Sequence, residues 1–166
     1  MSTPTNVPQS PPVQSARQEP PPQGVFLANR SEAVTLVAVS NAAPLARRLA
    51  AEVARHWRLP EFLVKDHAVV VSELTTNAVK ATQDFHKARG IPTVVRIKLK
   101  LRWNAPSLYT ETWDINPLLP VRHEAHDDDI SGRGLGIIEF LCERWDTIHC
   151  REGGKLVWTE QKLLYS

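Results

Sequence analysis

The sequence has few of the features that mark secreted, metal-bound or membrane proteins. Only two of its 166 residues are cysteines, Cys142 and Cys150; two are too few for a disulfide framework, and their spacing is not that of metal ligands. No apolar run approaches the length that spans a bilayer, and the N-terminus lacks the basic-then-apolar plan of a signal peptide. The net charge is only +2, without the long basic stripe of a nucleic-acid-binding protein. We therefore expect a cytoplasmic protein that binds neither membranes nor nucleic acid directly.

Proline is concentrated at the N-terminus. Seven of the 13 prolines lie between Pro4 and Pro22, mixed with Gln, Ser and Thr. Such a segment buries too little apolar surface to offset the entropy of ordering it. The composition predicts a disordered or polyproline-like tail over residues 1–30. The remainder, residues 31–166, is long enough for one domain with a proper core.

Hydrophobic periodicity predicts five strands and three helices in the order β, α, α, β, β, α, β, β. The strands are predicted over 33–39, 93–103, 107–114, 145–151 and 155–161. The helices are predicted over 43–57, over 61–82 and from a glycine-rich segment to about 143. The last four strands pair as hairpins. This order predicts an α/β fold, a two-layer sandwich with a mixed, mainly antiparallel sheet and helices on one face.

The large apolar side chains of the first two helices predict which helix faces are buried. In the first helix they recur at four-residue spacing, at Leu45, Leu49, Val53 and Trp57. In the second helix a broad apolar side consists of Phe62, Ala68, Val69, Val71, Leu74, Ala78 and Ala81.

The glycine-rich segment precedes the third helix. Gly132, Gly134 and Gly136 are three of only seven glycines, and each glycine inside a helix costs about 1 kcal/mol relative to Ala. The pattern therefore predicts a loop in which the backbone closely approaches a ligand. The helix that follows would present its N-terminus to an anion such as phosphate. A tight turn without a ligand is the alternative.

Two further polar groups are candidates for chemistry. Glu73 and Asn77 lie four apart on the second helix, so they share one face, with Lys80 one turn further on. Asn is uncommon inside a helix because its side chain competes for backbone hydrogen bonds, whereas its carbonyl oxygen suits Mg²⁺. Glu73 could accept a proton. Asp114, at a strand end, could accept a hydrogen bond from an exocyclic amine such as that of adenine, with a strand-end cap as the alternative.

Two other charged segments allow a functional interpretation, but a structural one is preferred. His123 and His126, followed by three aspartates, could bind a transition metal, yet no third ligand has a known spacing, and a polar loop is the preferred interpretation. The alternating Lys and Arg residues of 93–103 predict the solvent-exposed face of a sheet rather than a nucleic-acid patch.

Taken in order, these segments resemble the ATP-binding domain shared by gyrase, Hsp90, histidine kinases and MutL, the Bergerat fold. Within that superfamily the chain is most similar to small bacterial regulators of the actinomycete type, which include the anti-sigma-factor serine kinases. The resemblance covers about residues 33–161. Its motifs are residues 71–80, 113–120 and 131–138, with an ATP lid over 121–130 and a closing hairpin over 153–158.

The resemblance implies ATP and Mg²⁺ as cofactors, Glu73 as the catalytic base and Asn77 as the Mg²⁺ ligand. It also implies a nucleotide site formed by Asn77, Lys80, Asp114, Gly132, Arg133, Gly134, Leu135 and Gly136. The sequence departs from the superfamily at Asn116 and Leu118, where glycines normally follow the Asp.

Two functions stay open. The first is a serine/threonine kinase that captures a sigma factor, phosphorylates its protein antagonist and so regulates transcription through protein contacts. The second is a non-catalytic module, ATP-binding or nucleotide-free, that acts through protein interaction. A homodimer would fit the resemblance in either case.

Overall fold

The computed structural model describes residues 30–90, 94–119 and 133–163. Residues 1–29 of the predicted tail and the predicted lid over 121–130 lie outside these residues, whereas Arg30, predicted as the last tail residue, begins the first strand. Gly132 and the two histidines of the metal hypothesis, His123 and His126, also lie outside the described residues.

The elements have the predicted order and types. The strands are β1 Arg30–Val37, β2 Arg96–Asn104, β3 Ser107–Asp114, β4 Arg144–His149 and β5 Lys155–Lys162, and the helices are α1 Ala42–His56, α2 Glu61–Arg89 and α3 Arg133–Leu141. The main difference is α2, which is predicted to end at about residue 82 but continues through polar residues to Arg89. It ends only at Gly90, whose φ of 61° gives the left-handed cap that closes a helix.

The five strands form one antiparallel sheet in the order β1-β2-β3-β5-β4. The β2–β3 and β4–β5 hairpins are confirmed, as is the α/β sandwich with its helices on one face of the sheet. Along β2, buried Ile97 and Leu99 alternate with exposed Lys98 and Lys100. The basic residues of this strand therefore lie on the face that points away from the core.

The buried face of α1 differs from the prediction. Its buried residues are alanines, Ala42, Ala46, Ala50 and Ala54, whereas the Leu45 and Leu49 side chains are 54% and 36% exposed. Alanine lets the backbones of α1 and α2 approach closely, and the periodicity of large side chains does not detect such a face. On the predicted apolar side of α2, Val71, Leu74 and Ala78 are buried as predicted, whereas Phe62 and Val69 are exposed. The prediction holds for Trp57, which is buried.

A second, smaller core cluster fixes α3 against α2 and the sheet. It consists of Val70 and Leu74 of α2, Ile138 of α3 and Val157 of β5. This packing determines which residues of α2 face the beginning of α3. Within the described residues, no helix is long and apolar enough to cross a membrane.

Candidate functional site

Helix α2 carries the first group of predicted site residues. Glu73 and Asn77 are partly buried, and Lys80, further along the helix, is exposed. Neighbouring Leu74 and Ala78 are buried. The core side of α2 thus holds the helix in place, while Glu73 and Asn77 lie at the edge of that core.

The glycine-rich segment lies against these two residues. Because α3 begins at Arg133, Gly134 and Gly136 lie in its first turn and not in a loop, so the predicted loop is wrong for these two positions. A Cβ added to Gly134 would lie 2.7 Å from Glu73 Oε2 and 3.7 Å from Asn77 Nδ2. A glycine at 134 therefore lets the first turn of α3 approach the polar face of α2. Gly136 is exposed, with open space around it, and Leu135 is half-buried.

The Glu73 carboxylate has an uncommon environment. Among the described residues it forms no hydrogen bond or ion pair, and partial burial raises its pKa. It faces the first turn of α3, where peptide N–H groups have no partner within the helix. The helix dipole favours negative charge at this end. The region can therefore hold an anion beside an amide and a weakly acidic carboxyl group.

Asp114, at the end of β3, belongs to a second group of residues. Its side chain is almost fully buried. Oδ1 accepts a hydrogen bond from the Asn116 N–H at 3.0 Å and lies 2.8 Å from Lys155 Nζ. Burial raises the pKa of the Asp114 carboxyl, and the hydrogen bond and charge of Lys155 oppose that shift. This carboxylate is therefore held by contacts inside the protein.

Lys155 lies beside Asp114 and was not among the residues that the sequence analysis singled out. It is the first residue of β5 and lies opposite Asp114 in the β3–β5 register. Its Nζ also donates to the Asn116 carbonyl oxygen at 2.9 Å. The sequence does contain a signal for this position. Lys155 lies two and four residues before Val157 and Thr159, so the alternation along β5 places all three on the inner face of the sheet.

Asn116 joins this second group to α2. Its Nδ2 donates to the Ala81 carbonyl oxygen at 3.0 Å, and its Oδ1 accepts the Leu118 N–H at 3.0 Å. Ala81 lies one helical turn after Asn77. Asn116 therefore bonds the end of β3 to the helix that carries Glu73 and Asn77. Leu118 is 72% exposed.

The donors and acceptors of these elements fit an adenine nucleotide. Asp114 provides a buried acceptor for an amine, and the beginning of α3 provides N–H groups for phosphate. Within the described part of the chain, no group of three or more His, Cys, Asp or Glu could hold a metal. A Mg²⁺ ion would therefore need phosphate and water oxygens in addition to Asn77, which is the usual way this ion binds with nucleotides.

Comparison with known proteins gives independent evidence on the family of the chain. The family model for the histidine kinase-like ATPase domain matches residues 36–160, well over half of the chain. The matched range includes α2, the end of β3, α3 and all but the last residues of β5. No curated protein matches the chain.

Proposed function

We propose that this chain, which belongs to the family of histidine kinase-like ATPase domains, binds Mg-ATP and transfers its γ-phosphoryl group to a serine or threonine of a partner protein. The nucleotide would lie between α2, the end of β3 and the beginning of α3. The observation that carries the proposal is the Glu73 carboxylate, which has no partner among the described residues and lies beside both Asn77 and the α3 N-terminus.

Glu73 would act as the base in this reaction. As the substrate hydroxyl oxygen bonds to the γ-phosphorus, Glu73 takes the hydroxyl proton, and the bond to the β–γ bridging oxygen breaks to leave ADP. Burial raises the pKa of Glu73, which makes its carboxylate a stronger base than that of an exposed glutamate. Asn77 would bind the Mg²⁺ that neutralises the phosphate charge.

The identity of the protein substrate rests on the resemblance to the anti-sigma-factor serine kinases. In that scheme the chain captures a sigma factor and phosphorylates the protein that antagonises the capture. Its effect on transcription would then arise from protein contacts, and a homodimer would be the acting species.

A specific observation favours the second candidate, a non-catalytic interaction module. Asp114 and Asn116 already form hydrogen bonds and an ion pair inside the protein. These contacts join β3, β5 and α2 through the protein's own groups. The adenine-site motif could therefore serve as architecture for a protein-binding surface, with no phosphoryl transfer.

Calorimetric titration of Mg-ATP tests the nucleotide site first. We expect the wild-type protein to bind Mg-ATP and Asn77→Ala to lose most of that affinity, because the variant lacks the metal ligand. Thr76→Ala, an exposed position on the same helix, is the control and should bind as the wild type does. If the wild-type protein binds no Mg-ATP, the nucleotide site is refuted and the non-catalytic interaction module remains as the candidate function.

Transfer from γ-labelled ATP distinguishes the two candidates. A lysate of the source cells with the wild-type protein should yield a labelled protein, and Glu73→Gln should abolish the label while nucleotide binding persists. Glu52→Gln changes a glutamate whose side chain is 77% exposed and should label normally. Binding of Mg-ATP without any labelled protein would support the module.

A further inference from the structure

The buried ammonium group of Lys155 requires an explanation beyond stability. The side chains of Lys155 and Asp114 are only 4% and 2% exposed, and lysine is almost never fully buried unless it is paired. Removing two charges from water is costly, so a buried ion pair is often no more stabilising than an apolar pair of similar volume. The pair also lies where the proposed nucleotide site needs a hydrogen-bond acceptor for adenine.

The pair has hydrogen-bonding capacity that its contacts inside the protein do not use. A carboxylate has two oxygens and about four acceptor positions, and both contacts of Asp114 are made by Oδ1. An ammonium group has three N–H donors. Lys155 uses two of them, for Asp114 Oδ1 and for the Asn116 carbonyl oxygen. The third has no acceptor among residues 30–90, 94–119 and 133–163.

An acceptor beside a donor matches one edge of adenine. That edge carries an exocyclic amine, which donates, next to the ring nitrogen N1, which accepts. Hypoxanthine reverses both groups, with a carbonyl oxygen in place of the amine and an N1–H. Against hypoxanthine in the same position, the Asp114 carboxylate would face an oxygen and the Lys155 ammonium would face an N–H.

We propose that Lys155 is a specificity-determining residue of the nucleotide site, which holds Asp114 as the acceptor for the adenine amine and donates its third N–H to adenine N1. This inference rests on the proposed nucleotide function. Two neighbouring features hold Lys155 at this point. Gly154, with φ of 77°, lets the backbone of the turn contact Asp114, because a Cβ there would overlap the Asp114 carbonyl oxygen. Asn116 bonds its own strand end to α2.

Calorimetry with Mg-ATP and Mg-ITP tests the inference, since ITP carries hypoxanthine. We expect the wild-type protein to prefer ATP by about tenfold or more, the size expected for a hydrogen bond to a charged group. Lys155→Met should lose about tenfold or more in ATP affinity and should distinguish ATP from ITP less well than the wild type does, because only Asp114 then contacts the edge of the base. Lys155→Arg, which keeps the charge and N–H donors, should restore part of the preference.

The control is Lys100→Met, which removes the same charge from an exposed position on the opposite face of the sheet and should behave as the wild type does. If Lys155→Met does not fold, Asp114→Leu combined with Lys155→Met leaves no unpaired charge, and it should bind ATP and ITP equally weakly. A Lys155→Met or double variant that retains the wild-type ATP preference would overturn the inference while the nucleotide site stands. A wild-type protein that binds neither nucleotide would instead refute the proposed function on which the inference rests.

Discussion

At the scale of single residues, the two carboxylates of the site differ in what surrounds them. Asp114 is buried and bonded to Lys155 and to the Asn116 N–H. Glu73 is only partly buried and has no such partner among the described residues, while its pKa is raised by burial. The Asp114 carboxylate is therefore suited to hold the adenine ring in place, and the Glu73 carboxylate is suited to accept a proton.

The turn before β5 provides a prediction at the same scale. Gly153 and Gly154 both have positive φ, 97° and 77°, but only at Gly154 would a Cβ overlap the Asp114 backbone. Gly153→Ala should cost roughly 1 kcal/mol of unfolding free energy, from backbone strain alone. Gly154→Ala should cost at least about 2 kcal/mol, because strain and overlap add. Urea unfolding measures both; equal costs would show that the turn relaxes away from Asp114.

At the scale of elements, the contact between α1 and α2 depends on small side chains. Ala46 and Ala50 are fully buried, so α1 can lie close to α2. This close packing positions the helix that carries Glu73 and Asn77. Because the buried face of α1 consists of alanines, larger residues on its other faces, including Leu45, lie outside the core.

The alanine face of α1 can be tested with two substitutions. Ala50→Leu should lower the free energy of unfolding by about 1–3 kcal/mol, since the added atoms overpack the core in which Ala50 is buried. Leu45→Ala removes a 54% exposed side chain and should change stability by no more than about 0.5 kcal/mol. Urea unfolding compares the two variants with the wild type. A larger cost for Leu45→Ala than for Ala50→Leu would restore the leucine face as the buried one.

At the scale of the whole molecule, a buried polar group lies between α2 and the sheet. His67 of α2 is fully buried, and its Nδ1 lies 3.1 Å from Gln161 Oε1 of β5. Burial lowers the pKa of His67 from 6.5 to about 4. The unfolded chain therefore binds a proton between these two pH values that the folded protein does not bind, and the fold loses stability as the pH falls.

The stability of the molecule should thus depend on pH through His67. The free energy of unfolding should decrease by about 2 kcal/mol between about pH 7 and pH 5, at about 1.4 kcal/mol for each unit below the unfolded pKa. Urea unfolding at several pH values measures this slope. His67→Gln should remove most of it, whereas His56→Gln, at an exposed position, should keep it. A slope that His67→Gln leaves intact would assign the dependence to other groups.

Sequence alone was enough to predict the types and order of the elements, the two hairpins and the sandwich architecture. Hydrophobic period, turn residues and Gly90 act over a few residues, so these features are encoded locally. Local patterns also singled out Glu73, Asn77 and Asp114 as candidates. The extension of α2 beyond the predicted end also has a local cause. Polar residues favour a loop but do not by themselves end a helix, whereas the left-handed cap at Gly90 does.

Which distant residues contact one another depends on how the whole domain folds. Lys155 is separated from Asp114 by 41 positions, and their contact depends on the β3–β5 register. The approach of Gly134 to Glu73 depends on how α3 packs on α2, and the alanine face of α1 depends on how closely two helices can approach. Contacts between residues so far apart in the sequence are set by packing and strand register across the whole domain. No short stretch of sequence encodes them.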